Sequence, residues 1–313
     1  MIISVSRRTD IPAFYSNWFF NRLKEGEVFI RNPFNKNQIS KVILDKNMVD
    51  IFVFWTKDPL NMIKRLDELE GYNYYFQFTL NSYRNDIERN LRPKNEIIKT
   101  FIQLSKRIGK ERVIWRYDPI FLNNYYTKEY HYKWFEEIAK RLQGYTEKVV
   151  ISFIDIYKET KKNFQLLKLY EITEKDMIEI AKRLVEIGKK YNIQIESCGE
   201  NIDLQQVGVS KGACIDCKLI SKLTGISEKI YRKDNMRESC KCVKSIDIGE
   251  YNSCNHNCVY CYANYNSAVI NKNIEKHIES EKILIGNLSG DEKITIHNLC
   301  KKNKVNQISF LGD

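Results

Sequence analysis

Tyr251-Asn252-Ser253-Cys254-Asn255-His256-Asn257-Cys258-Val259-Tyr260-Cys261-Tyr262-Ala263-Asn264 is the stretch on which the reading of this 313-residue chain turns. Its cysteines follow the spacing Cys-x3-Cys-x2-Cys, and the aromatic Tyr260 stands just before the third. Three thiolates on one tight loop, Cys254, Cys258 and Cys261, can hold three irons of a [4Fe–4S] cube, which leaves the fourth iron without a protein ligand. The competing reading is a zinc knuckle. Zinc takes four ligands, commonly in paired Cys-x2-Cys units. Cys214-Ile215-Asp216-Cys217 and Cys258-Val259-Tyr260-Cys261 would supply such pairs but strand Cys254. The cube uses all three motif cysteines and is the preferred reading.

Outward from the motif, cysteine remains informative. The chain has 9 cysteines, and none precedes Cys198. The start, Met1-Ile2-Ile3-Ser4-Val5-Ser6-Arg7-Arg8, is too short and charged too early to read as an export signal. An odd count in that setting favours metal or cluster ligation over a disulfide framework. Cys198, Cys214, Cys217, Cys240 and Cys242 lie upstream of the motif. Four of them suffice for a second, fully ligated [4Fe–4S] cluster. The expected ligands are Cys198, Cys214, Cys240 and Cys242, with Cys217 as the spare. Zinc is the alternative at this second site, and a free cysteine also packs as a small apolar residue. Cys300 and His297, in the tail, read as structural.

The first 197 residues alternate strand and helix patterns. Candidate strands are Ile2–Ser6, Val49–Trp55, Tyr74–Leu80, Arg112–Arg116, Val149–Ile154 and Ile193–Ser197, short apolar runs of the buried parallel kind. Leu60, Ile63, Leu66 and Leu69 recur at spacing three, Ile97, Phe101, Leu104 and Ile108 at three to four. Met177, Ile180, Leu184 and Ile187 do the same behind an N-cap at Thr173 with Asp176 three residues on. Val28–Arg31 and Gln38–Leu44, around Asn32-Pro33-Phe34-Asn35, read as an inserted hairpin. The expected fold class is α/β, a full or partial (β/α) barrel. Residues 1–197 form its core with the hairpin near 28–44, 198–269 a cysteine-rich region that completes it, and 270–313 a helix and polar tail. The helix is expected after Tyr262 to about Glu281.

In such a fold, chemistry gathers at the carboxyl ends of the strands. Here those ends read Ser6-Arg7-Arg8-Thr9-Asp10, Thr56-Lys57-Asp58-Pro59, Thr79-Leu80-Asn81, Arg116-Tyr117-Asp118-Pro119, Asp155 with Tyr157, and Glu196-Ser197-Cys198. Each alone is ordinary loop and capping chemistry. Together they read as a ligand site.

Composition sets the frame. Hydrophobic residues are 43% of the chain, enough for a sizeable core, and Gly 13 with Pro 5 excludes a collagen-like or linker-like chain. No uninterrupted apolar run reaches about 18 residues, so no membrane span is expected. The formal charge of +11 admits a polyanionic partner such as nucleic acid, although no basic block marks a binding arm.

The motif resembles that of the radical S-adenosylmethionine superfamily, and Cys254 through Tyr262 is especially similar to the spore photoproduct lyase branch. That resemblance implies a [4Fe–4S] cluster whose open iron binds S-adenosylmethionine. It also implies an external one-electron reductant and a 5′-deoxyadenosyl radical that abstracts hydrogen from a substrate. In the superfamily the motif follows the first strand, whereas here it follows a candidate strand Lys244–Ile248. Thr9-Asp10-Ile11-Pro12 resembles the segment after the second strand, and Phe54-Trp55-Thr56-Lys57-Asp58-Pro59-Leu60 the third-strand motif. The chain therefore reads as a circular permutation, with the first strand and cluster loop moved to the end, beside Ile2–Ser6. The chain also resembles, over nearly its whole length, a bacterial family known as domain of unknown function 1848. That likeness rests on Ser6 to Pro12, Phe54 to Lys57, Arg237 to Cys242 and Ser245 to Gly249, and it implies no activity.

Around the open iron, a cation is needed for the carboxylate of S-adenosylmethionine, and Arg7, Arg8, Lys57 and Arg116 are the candidates. Asp118, Asp155 or Glu196 would accept from the ribose, and Tyr260 and Tyr262 would cover the adenine or the cluster. His256 would bond a cluster sulfide or lie exposed, and His131 is placed on a surface helix. The expected function is a cytoplasmic radical enzyme acting on an unknown substrate, with a nucleic-acid base as a reasonable guess. The alternative is a non-catalytic Fe–S or zinc protein that binds nucleic acid or senses redox state. A non-radical methyltransferase ranks last, for want of a Gly-rich loop after an early strand.

Overall fold

The apolar runs of the first 197 residues meet in one sheet. A computed structural model describes residues 1–155, 164, 165, 167–234 and 240–297, so Tyr157, Arg237 and Cys300 lie outside the described residues. In chain order the strands are β1 (Ile2–Val5), β2 (Glu27–Arg31), β3 (Gln38–Ile43), β4 (Ile51–Thr56), β5 (Tyr74–Thr79) and β6 (Val113–Ile120). They continue with β7 (Lys148–Phe153), β8 (Gln194–Ser197), β9 (Ser210–Lys211), β10 (Ile246–Asp247) and β11 (Lys293–Ile296). Eight of these pair in parallel, in the order β10-β1-β4-β5-β6-β7-β8-β9.

The sheet is open. Its edge strands, β9 and β10, are two residues each and do not pair with one another, so a closed barrel is not formed among the described residues. Edges this short offer no ladder long enough to close on. The fold class is therefore α/β with a large parallel sheet.

Alternation along each strand sorts side chains between the two faces. Ile3, Val5, Phe52, Phe54, Phe76, Phe78, Trp115 and Val149 face the long helices. Those helices, with the short ones, are α1 (Ile11–Phe14), α2 (Ser16–Glu25), α3 (Leu60–Ile63), α4 (Lys94–Ile108), α5 (Lys128–Leu142) and α6 (Glu174–Lys190). Ile2, Ile51, Val53, Tyr75, Ile114 and Val150 occupy the opposite face, where Ala213, Ile215 and Val243 of the cysteine-rich segment cover them. The helix α7 (Cys217–Thr224) adds Ile220 to that cover.

Local signals explain several boundaries. Thr173 caps α6 and forms a capping box with Asp176, as the sequence pattern predicts. The spacing of three in Leu60, Ile63, Leu66 and Leu69 belongs to a tighter turn, and that stretch breaks into α3 and a 3-10 segment, Leu66–Leu69. The inserted hairpin is β2 against β3. Its third strand, β11, adds in parallel to β3, so the tail carries more structure than its polarity suggests. The helix α8 (Ser267–Glu275) ends earlier than expected. Asn21, Arg22 and Trp18 of α2 take the carbonyls of Glu279, Ser280 and Glu281, which draws the chain out of helical register.

His131 is corrected by the structure. It is fully buried on α5, in one stripe with Phe135, Ile138 and Leu142. Its Nε2 donates to the Phe121 carbonyl at 2.9 Å, and its Nδ1 accepts from the Tyr117 hydroxyl at 2.8 Å. Among the described residues no helix is long and apolar enough to cross a membrane.

Candidate functional site

The carboxyl ends of β1, β4, β5, β6, β7 and β8 line one cavity of about 460 Å³. Parallel strands aim all their carboxyl ends the same way, so polar residues distant in sequence converge there. The motif loop enters from the sheet edge. β10 pairs with β1 in register Ile3↔Ile246 and Ser4↔Asp247, and this sets the loop beside the end of β1. Asp247 then accepts from Ser4 Oγ at 2.9 Å, from Ser6 Oγ and from the Arg7 amide at 2.8 Å. Gly249 is required, since a Cβ there would collide with Ser6.

The loop is clasped from several sides. Asp10 caps α1 through Ala13 N and also accepts from the Lys57 amide at 2.7 Å and His256 Nε2 at 2.8 Å. His256 is therefore buried and tied down, rather than exposed. Asn264 Oδ1 accepts from the amides of Ser253 and Cys254, both at 2.8 Å, and its Nδ2 donates to Arg8 O. Cys258 bridges Glu88, and Val259 N donates to Ile87 O. Asn252 and Asn257 take positive φ, 53° and 52°, a conformation asparagine tolerates.

These contacts bring Cys254, Cys258 and Cys261 to the cavity as free thiols, the first two buried and the third half-buried. Burial pushes the Cys254 thiol well up and that of Cys258 to about 12, although Lys57 works against it at Cys258. Buried thiols of this kind become good ligands once a cation compensates the thiolates.

Each expected cation already has an acidic partner. Lys57 Nζ reaches Glu88 Oε1 and the Tyr260 hydroxyl, both at 2.7 Å. Lys94 pairs with the other oxygen of Glu88. Burial alone would raise the Glu88 carboxyl, but Lys57 and Lys94 hold it at about 2. Glu88 is a site residue that the sequence reading missed, because it sits in the ordinary-looking run Arg84-Asn85-Asp86-Ile87-Glu88-Arg89. Arg7 and Arg8 both lie by Asp247, at 3.9 and 4.0 Å, and Arg8 also covers the Tyr251 ring. Arg116 is buried between Asp118, Trp55 and Cys214. Asp155, Tyr260 and Tyr262 line the cavity too. Glu196 does not: it pairs with Lys148 at 3.0 Å, away from the lining.

A family model described as a domain of unknown function (DUF1848) matches residues 2–263. The chain belongs to the DUF1848 family. No curated protein matches it, and neither does any solved structure.

The DUF1848 match includes both cysteine sets and stops before α8 and β11. In the upstream set, Cys198, Cys240 and Cys242 have their sulfurs all within 4.8 Å of one another, a triad able to bind a metal ion. Cys214 Sγ lies 3.0 Å from Cys198 Sγ. All four line the same cavity as the motif loop's thiols, while Cys217 turns away to Glu228 at 3.8 Å. The motif cysteines form no comparably narrow group among the described residues.

Proposed function

We propose that this protein is a radical S-adenosylmethionine enzyme, with a [4Fe–4S] cluster on Cys254, Cys258 and Cys261. The observation that carries the reading is that three motif thiols on one loop open onto the cavity where the charged strand ends converge. The residues present fit such a group. The donor set is three soft thiols, and two polar atoms of the cavity wall, Thr9 Oγ1 and His256 Nδ1, are buried without a hydrogen-bond partner. Buried polar atoms left bare are costly, so both suit a bound ligand.

When bound, the cluster and S-adenosylmethionine would supply a 5′-deoxyadenosyl radical, with one electron from an external reductant. The chain's own residues then have defined tasks. Asp10 and Asn264 fix the loop. Arg7, Arg8 and Lys57 line the cavity and are the cations offered to a carboxylate. Asp118 and Asp155 are the acceptors offered to ribose, and Tyr262 the ring offered to adenine. The pairing of β10 with β1 supports the permuted reading, since it sets the motif next to the first strand of the chain. It also favours a partial barrel over a closed one. A nucleic-acid base is the substrate class that the +11 charge favours.

The test is anaerobic reconstitution with iron and sulfide, reduction, addition of S-adenosylmethionine and assay for 5′-deoxyadenosine. Product supports the reading. No product from a demonstrably loaded and reduced cluster overturns it in favour of a non-catalytic metal protein.

A further inference from the structure

Three upstream cysteines, Cys198, Cys240 and Cys242, are close enough to share one ion. A tetrahedral zinc site with Zn–S near 2.3 Å sets its sulfurs about 3.8 Å apart. A four-iron cube places each thiolate behind its own iron, at four separate corners, and spreads them farther. The sulfurs of Cys198, Cys240 and Cys242 lie within 4.8 Å of one another, a zinc-like span, and Cys214, outside that mutual range, reaches the triad through Cys198 at 3.0 Å.

Hydrogen bonding points the same way. Arg116 Nη1 donates to Cys214 Sγ at 2.7 Å, Ile215 N to Cys242 Sγ at 3.5 Å, and Cys242 N to Cys240 Sγ at 3.4 Å. A guanidinium and backbone amides trained on the sulfurs suit thiolates that already hold a cation. Cys214 and Cys242 are buried in the apolar cluster on the cysteine-covered face of the sheet, where uncompensated thiolates would be very costly. The Cys214 carbonyl is itself pinned by Tyr75 Oη at 2.8 Å and Gln77 Nε2 at 2.7 Å.

We infer that Cys198, Cys214, Cys240 and Cys242 bind a single tetrahedral Zn²⁺ ion, which fixes the cysteine-rich segment over the sheet. Four cysteines fill the coordination sphere, so the ion is structural rather than catalytic. The segment needs such a staple. Its own regular elements are as short as β9, two residues, and α7, eight residues. This site shares no ligand with the motif cluster, so either proposal can fail alone.

The full chain is expressed with both iron and zinc supplied, as wild type and as the triple variant Cys254→Ala, Cys258→Ala, Cys261→Ala. Metal content and thiols are then counted. The triple variant is expected to lose its iron and keep about one zinc per chain, and Co²⁺ exchanged into it is expected to give the strong visible bands of tetrahedral cobalt thiolate. Adding Cys242→Ser should remove that zinc. Several irons per chain retained in the triple variant, with cluster absorbance, would overturn the proposal. So would a metal-free variant in which Cys198 and Cys214 are joined as a disulfide. Because the triple variant keeps every proposed zinc ligand, the result does not depend on the folding of the Cys242→Ser chain.

Discussion

The motif loop and the upstream cysteines line one cavity but are held by different means. The loop keeps its three thiols within eight residues, Cys254 to Cys261, and is clasped from outside by Asp10, Asn264 and Ile87. The upstream set gathers its sulfurs from the end of β8, from the turn after β9 and from the Cys240–Cys242 pair, and keeps three of them, Cys198, Cys240 and Cys242, within 4.8 Å of one another. Spacing within a loop leaves room for a cluster larger than the loop. Convergence of separate segments on one point is what a single ion stabilises, since it crosslinks chain that lacks a core of its own.

Substitution of ligands separates the two regions most sharply. Cys258→Ala should take 5′-deoxyadenosine formation to background while the zinc count stays near one per chain. A joint loss of iron and zinc in that variant would show one shared metal centre and break the distinction.

A third region, the buried stripe of α5, holds no cysteine and supplies the control. In the unfolded chain a histidine protonates near 6.5, whereas burial holds His131 at about 4. Between those values the unfolded chain binds more protons, so stability is full above about pH 6.5 and falls by about 3 kcal/mol as pH drops toward 4. Urea titrations across that window should show the slope, and His131→Gln should flatten it. An unchanged slope in His131→Gln would assign the acid sensitivity to other titrating groups, such as the ion-paired carboxylates.

Residues that support the ligands should have smaller and separate effects. Arg116→Met is expected to weaken zinc loading about 10-fold and spare the iron, the usual cost of removing a hydrogen-bond partner from a metal ligand. Asp10→Ala, which releases His256 in the motif loop, is expected to weaken iron loading and spare the zinc. Metal titrations of both variants read this, and equal losses of iron and zinc in either would merge the two regions. The smallest effect belongs to Cys217→Ser. Its sulfur points to Glu228, so both metal counts and product formation should hold at the wild-type level. A lost ion in that variant would reassign the fourth ligand of the upstream site.

Much of this was readable from residues in a row. All six strands expected in the first 197 residues join the sheet, and the Thr173–Asp176 box starts α6, because apolar period and capping are local properties. Of the expected upstream ligands, Cys198, Cys240 and Cys242 form a triad able to bind a metal ion. His131 was misplaced although its spacing from Phe135, Ile138 and Leu142 was there to read; its polarity masked a core position. Glu88 had no local signal at all. It is a site residue only because Lys57 and Lys94, from elsewhere in the chain, converge on it.

The sequence alone determined which residues could bind metal and which segments would become strands and helices, because ligand chemistry and periodicity are written within short windows. The open sheet, the pairing of β10 with β1, the cavity that both cysteine sets line and the partners of buried charges such as Glu88 were decided by the tertiary structure. These depend on distances between residues as far apart as Ser4 and Asp247, which only the packed sheet brings together.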